Sequence, residues 1–130
     1  MKKFYKNLVG LLCFFGLISV QLNAQLVLTA VFDGPLTGGT PKGVELYVTE
    51  NIPDLSIFGL GSANNGEGSD GQEFTFPSVS ANQGDFIYVS TETTQFLNYF
   101  GFSPTYTSGS MGVNGDDAIE LFMNGSVIDV

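Results

Sequence analysis

The chain has 130 residues, with four Lys and no Arg against 13 Asp and Glu, no His, no Trp and one Cys, for a formal charge of −9. So few bases exclude nucleic-acid binding, which needs Lys and Arg to displace counterions from phosphates, and the same repulsion argues against an anionic membrane surface. Without His, and with its one Cys in an N-terminal apolar stretch, the chain is also short of the usual groups for proton transfer near neutral pH, thiol chemistry and disulfides, so the expectation is a protein that is not an enzyme.

Residues 1–24 read as a secretory signal peptide: Lys2, Lys3 and Lys6 open it, an apolar stretch follows from Leu8 to Val20, and Ala24 precedes Gln25. The stretch is too short to span a bilayer, which takes about 20 residues, so after cleavage no membrane association is expected. The location implied is secreted or at the cell surface. The remainder, 25–130, carries Lys42 as one base against all 13 acids, hence −12. Its length suits one domain with a modest core, held by packing because it has no cysteine.

The next elements follow in order. Residues 25–32 (QLVLTAVF) predict a strand closed by a turn at Asp33-Gly34-Pro35, and 38–42 predict a loop. Val44, Leu46 and Val48 alternate with Glu45, Tyr47 and Thr49, the period of a half-buried strand. Leu55, Ile57, Phe58 and Leu60 predict a short strand whose broken alternation calls for a bulge at Ile57-Phe58. Residues 61–71 (GSANNGEGSDG) hold almost nothing to bury and predict a solvated loop.

Phe74-Thr75-Phe76 and 86–90 (FIYVS) predict two more short strands. Phe96, Leu97 and Phe100 recur at helical spacing ahead of Gly101, so one short helix is expected over 91–100. Residues 103–115 predict a loop anchored by Tyr106 and Met111. Asn124-Gly125, between 118–123 and 126–130, is the pair best suited to positive φ at both centres of a type I′ hairpin turn. Short strands at this spacing with one helical insert imply an all-β antiparallel sandwich.

Four blocks in this order, Gly43-Val44-Glu45-Leu46-Tyr47, Asp54-Leu55-Ser56, Phe74-Thr75-Phe76-Pro77 and Gly115-Asp116-Asp117-Ala118-Ile119-Glu120-Leu121, resemble lamin-tail domains of the bacterial, secreted branch. The resemblance spans about Leu26 to Val130. It implies an immunoglobulin-like β-sandwich and a non-catalytic module, for which a binding, adhesion or spacer role is expected; an extracellular protein or a glycan surface is the partner expected. Such domains are often attached to secreted nucleases or phosphatases, so an N-terminal accessory region of such a hydrolase is one alternative, and a carbohydrate-binding module is the other. Similar chains continue further, which implies that the sandwich is incomplete at its C-terminal end, with an unpaired edge open to self-association.

Two candidate sites stand out. Asn114, Asp116, Asp117 and Glu120 group oxygen ligands around a turn, and calcium is the cation that exported carboxylates meet. The same residues also suit a plain turn, because Asp and Asn bond their own backbone there and Glu120 alternates outward along its strand. Tyr47 and Tyr88 are the exposed candidates for a ring platform that stacks on sugars, while most other aromatics are assigned to the core, the main source of stability in a small domain. In 64–71 neither the ligand positions of an EF-hand nor the helix required by a dinucleotide fingerprint at Gly66, Gly68 and Gly71 is present.

Overall fold

A computed structural model describes residues 24–130. The signal-peptide reading falls almost wholly on residues outside that range. Among the described residues no helix is long and apolar enough to cross a membrane.

Strand β1 (Leu26–Leu36) runs antiparallel to β2 (Thr40–Val48), with Leu26 opposite Val48 and Leu36 opposite Thr40. The turn expected at Asp33-Gly34-Pro35 is therefore part of the strand, and the reversal lies at 37–39, where Gly38 and Gly39 have φ of 88° and 66°. Gly34 serves close approach instead, because a Cβ there would overlap the Thr40 carbonyl oxygen. Four more strands are β3 (Phe58–Ala63), β4 (Phe74–Thr75), β5 (Phe86–Ser90) and β6 (Tyr106–Thr107). The last hairpin is β7 (Ala118–Met123) and β8 (Ser126–Asp129).

Two sheets form, in the orders β1-β2-β5-β6 and β4-β3-β7-β8. All pairings are antiparallel except β5 with β6. Residues 24–130 form an all-β sandwich of immunoglobulin-like character, with one short α-helix among the described residues. Val44, Leu46 and Val48 face inward as their alternation requires, against Phe58, Leu60, Ile119 and Leu121 of the facing sheet. Phe76, Met111 and Val113 close the core, and Tyr106 packs against it. Each fully buried ring or aliphatic chain there contributes about 1.5–3 kcal/mol over an exposed one.

The bulge expected at Ile57-Phe58 is replaced by a 3-10 turn, Leu55–Ile57, that ends where β3 begins. Asp54 caps that turn, its Oδ1 accepting the Ser56 N–H at 2.9 Å. The alternation fails because the chain changes conformation there. β3 then continues through Gly61, Ser62 and Ala63, all buried, although the sequence assigns them to a loop.

Helix α1 (Thr94–Phe100) is one turn shorter at its start than expected and stops at Gly101, whose φ of 82° lets its N–H reach the Leu97 carbonyl at 2.9 Å. Glu92 satisfies the first turn, accepting from the backbone N–H groups of Gln95 and Phe96 at 2.7 and 3.2 Å. The β7–β8 turn has Asn124 at φ 50° and Gly125 at 76°, both left-handed as the type I′ reading requires.

The two sheets are joined along one side by Asp129, whose Oδ2 accepts the Leu28 N–H at 3.0 Å across 101 positions. Leu28 borders an irregularity in the β1–β2 register, so the β8 carboxylate engages a backbone donor of β1 beside it. Val127, Ile128 and Val130 lie exposed along and just beyond β8.

Candidate functional site

Of the four oxygen-bearing residues read as a cation site, Asn114 and Asp117 bond one another, and Glu120 is held by a different loop. Asp117 accepts the Asn65 N–H on Oδ1 at 2.9 Å and the Asn114 N–H on Oδ2 at 2.7 Å. The bond from Asn65, then that from Asn114, hold its carboxyl below the usual aspartate value, with a smaller contribution from the charge of Lys42. The Asn114 side-chain oxygen accepts from Lys42 Nζ at 2.9 Å, and the same ammonium donates to the Val113 carbonyl at 2.5 Å and pairs with Asp33 at 2.9 Å. Lys42 thus ties β2 to the loop that precedes β7. Asp116 is exposed.

Glu120 alternates away from the core as expected, yet it is only 7% exposed. The reason lies in residues 64–73, which fold back over the outer face of β3 and β7. Gly61, directly opposite Glu120, has no side chain, and a Cβ there would overlap the Gly71 carbonyl oxygen. Ser69 Oγ donates to Glu120 Oε2 at 2.6 Å, and Glu73 Oε2 accepts the Ser62 N–H at 2.9 Å. Ser69 and Glu73 thus turn their side chains onto the sheet and the Gly71 backbone lies against it, so the expectation of a wholly solvated loop is corrected. Among the described residues no group of three or more Asp, Glu, Cys or His is placed to hold a metal ion.

Acids recur in this way through the fold. Asp54, Glu73, Asp85, Glu92, Asp117 and Asp129 each accept a backbone N–H. Much of the acidity is therefore spent on turn and edge donors, which a buried or half-buried backbone must satisfy.

The outer face of the first sheet is different. On β2 and β5 the inward residues are Leu46, Val48, Ile87 and Val89, so Glu45, Tyr47, Phe86 and Tyr88 point outward. Register places Glu45 opposite Tyr88 and Tyr47 opposite Phe86, a two-by-two block. Tyr47 and Phe86 pack with ring centroids 5.0 Å apart at 50°. The Tyr88 hydroxyl donates to Glu45 Oε2 at 2.8 Å, and Thr29 Oγ1 donates to Glu45 Oε1 at 2.7 Å. Burial first, then the bond to Glu45 and its charge, push the Tyr88 phenol above its ordinary value.

Half of this face is covered. Phe96 on α1 is fully buried yet outside the inter-sheet core; its ring centroid lies 5.8 Å from those of Phe32 and Tyr88, 4.6 Å from Phe100 and 5.4 Å from Phe102. Tyr88 also meets Phe102 at 5.0 Å. The other half, Tyr47 and Phe86, is open, with Phe86 52% exposed. Glu45 sits on the boundary.

Comparison of the chain with protein-family models, with curated proteins and with solved structures finds no match.

Of the two tyrosines read from the sequence as a platform, both are half-buried and lie on one face, on adjacent cross-strand pairs. Tyr88 belongs to the covered half, with its hydroxyl engaged. The sequence reading did not single out Phe86 or Glu45. The signal was there: in FIYVS, placing Ile87 and Val89 inward puts residue 86 on the same face as Tyr88.

Proposed function

We propose that this chain is an exported, non-catalytic binding module of lamin-tail kind that engages its partner through the outer face of β1, β2 and β5. The observation that carries this reading is the open half of that face, where Phe86 is 52% exposed against Tyr47. A packed aromatic pair left open on the sheet face, beside a half that the fold has covered with α1, is where an apolar partner group would be received. The rest of the acidic chemistry supports the same view, since so many carboxylates are committed to backbone donors. Export rests on the basic and apolar pattern of residues 1–24.

The test is an array of glycans and short peptides probed with the chain lacking residues 1–24 and with its Phe86→Ala and Tyr47→Ala variants. The expected result is a ligand class whose signal falls in both variants while their melting temperatures stay close to the parent. Signals that are absent, or that ignore both substitutions, would overturn the reading.

A further inference from the structure

We infer that the open face takes an arginine side chain of a partner protein, stacked on Tyr47 and Phe86 with its guanidinium directed at Glu45. This rests on the binding-face reading above and names the chemistry of the partner.

Three observations lead to it. The first is charge. Glu45 is half-buried in the middle of the face, and the two side chains that donate to its carboxylate, Thr29 and Tyr88, are neutral hydroxyls. The one base among the described residues, Lys42, is already held by Asp33, Val113 and Asn114. The carboxylate thus carries a charge with no cation beside it. Each of its oxygens accepts one hydroxyl, and a carboxylate has about four acceptor sites, so capacity for further donors is left.

The second is the rings. Tyr47 lies two residues along β2 from Glu45, on the same side, and Phe86 is its cross-strand neighbour. Diagonal neighbours on a sheet lie within reach of long side chains, at roughly 7–8 Å. A cation that lies on the Tyr47–Phe86 pair therefore also reaches Glu45. Aromatic faces attract cations through their quadrupole, and Arg more often than Lys. A planar guanidinium can stack on a ring while its N–H groups bond a carboxylate, which an ammonium does less well.

The third is complementarity over longer range. The region 25–130 carries 13 acids and one base, so its field draws cationic partners and repels anionic ones. A neutral sugar would use the rings but would leave the Glu45 charge unanswered.

The experiment uses the chain lacking residues 1–24, labelled for amide NMR, titrated with N-acetyl-arginine amide and, separately, with its citrulline counterpart, which keeps the shape and loses the charge. The expected result is saturable shifts at Glu45, Tyr47, Phe86 and Tyr88 with the arginine probe and none with citrulline. Glu45→Gln should weaken binding roughly tenfold, as loss of a charge-assisted bond implies. Phe86→Leu, which keeps an apolar side chain at an exposed site, should weaken it by several-fold. Asp70→Asn removes the same unit charge from the other sheet's loop and should change binding by less than about twofold. Equal shifts with citrulline, shifts scattered over the acidic surface, or equal effects of Glu45→Gln and Asp70→Asn would overturn the inference. Shifts at Tyr47 and Phe86 with a neutral cello-oligosaccharide but not with arginine would also overturn it, while leaving the binding-face reading intact; an array without any Phe86-dependent ligand would remove both.

Discussion

The Asp117 carboxylate receives the backbone N–H of Asn65, 52 positions earlier in the chain, at 2.9 Å. With its second oxygen on the Asn114 N–H, it staples the loop after β3 to the turn before β7. The Gly-Asp-Asp block read as a candidate cation site is, in the fold, a join between two loops.

This staple has a pH dependence of definite sign. The folded Asp117 carboxyl is held below 3.8, so the folded state binds the proton less readily than the unfolded chain does. Its contribution is present above 3.8 and is lost as the pH falls through the lower, folded value. Asp117→Asn should lower the melting temperature at neutral pH, and the gap to the parent should close as the pH is taken down through the acid range. A gap that stays constant with pH would contradict the staple.

Gly61 should tolerate no side chain. Gly61→Ala would drive a methyl group into the Gly71 carbonyl and toward the Phe122 ring, and overpacking of this kind costs about 1–3 kcal/mol. Urea denaturation should show that loss, and protease nicking within 64–73 should become faster. Gly109→Ala is the control, because nothing lies near its Cβ position; it should change stability by less than about 0.5 kcal/mol.

Ser69 and Glu120 should be energetically coupled. Ser69→Ala removes the hydroxyl from a carboxylate that is 7% exposed, and leaving a buried acceptor without its donor costs about 1–3 kcal/mol. In a Glu120→Leu background the same substitution should cost clearly less, what remains being the exposed Gly71 N–H that Ser69 Oγ also accepts at 3.2 Å. A double-mutant cycle by chemical denaturation reads the difference, and additive effects would disprove the contact.

The Tyr88 phenol should ionise above the ordinary tyrosine value. Burial and Glu45 raise its folded value above 10.0, so its contribution is complete below 10.0 and is lost as the pH rises through that higher value. An ultraviolet titration should show one phenol ionising late, and Tyr88→Phe should abolish that step. At neutral pH the substitution should cost about 0.5–1.5 kcal/mol, the usual worth of one hydrogen bond.

The layered architecture was legible from period and turn chemistry. Val44, Leu46 and Val48 could face one way only if the strand was half-buried, and Asn124-Gly125 has few other uses than a tight hairpin. Phe96, Phe100 and Gly101 marked the helix for the same reason, since spacing and a left-handed terminus are local properties. What failed was also local in cause: a glycine in the sequence does not say whether it turns the chain or makes room for another segment. Gly34 and Gly61 make room, so β1 and β3 both run further than their composition suggests.

The candidate sites needed the third dimension. Nothing near Glu120 in sequence announces that Ser69, 51 positions away, will close over it, or that Lys42 will take the Asn114 oxygen, 72 positions away. Sequence by itself determined the strand-rich class, the hairpin, the helix and the acidity, because these depend on periodicity, backbone preference and a count of charges. Tertiary structure alone decided which carboxylates bind backbone and which face water, and which half of an aromatic face stays open. Those outcomes depend on contacts between distant segments, where burial turns the same side chain from a solvated charge into a structural acceptor.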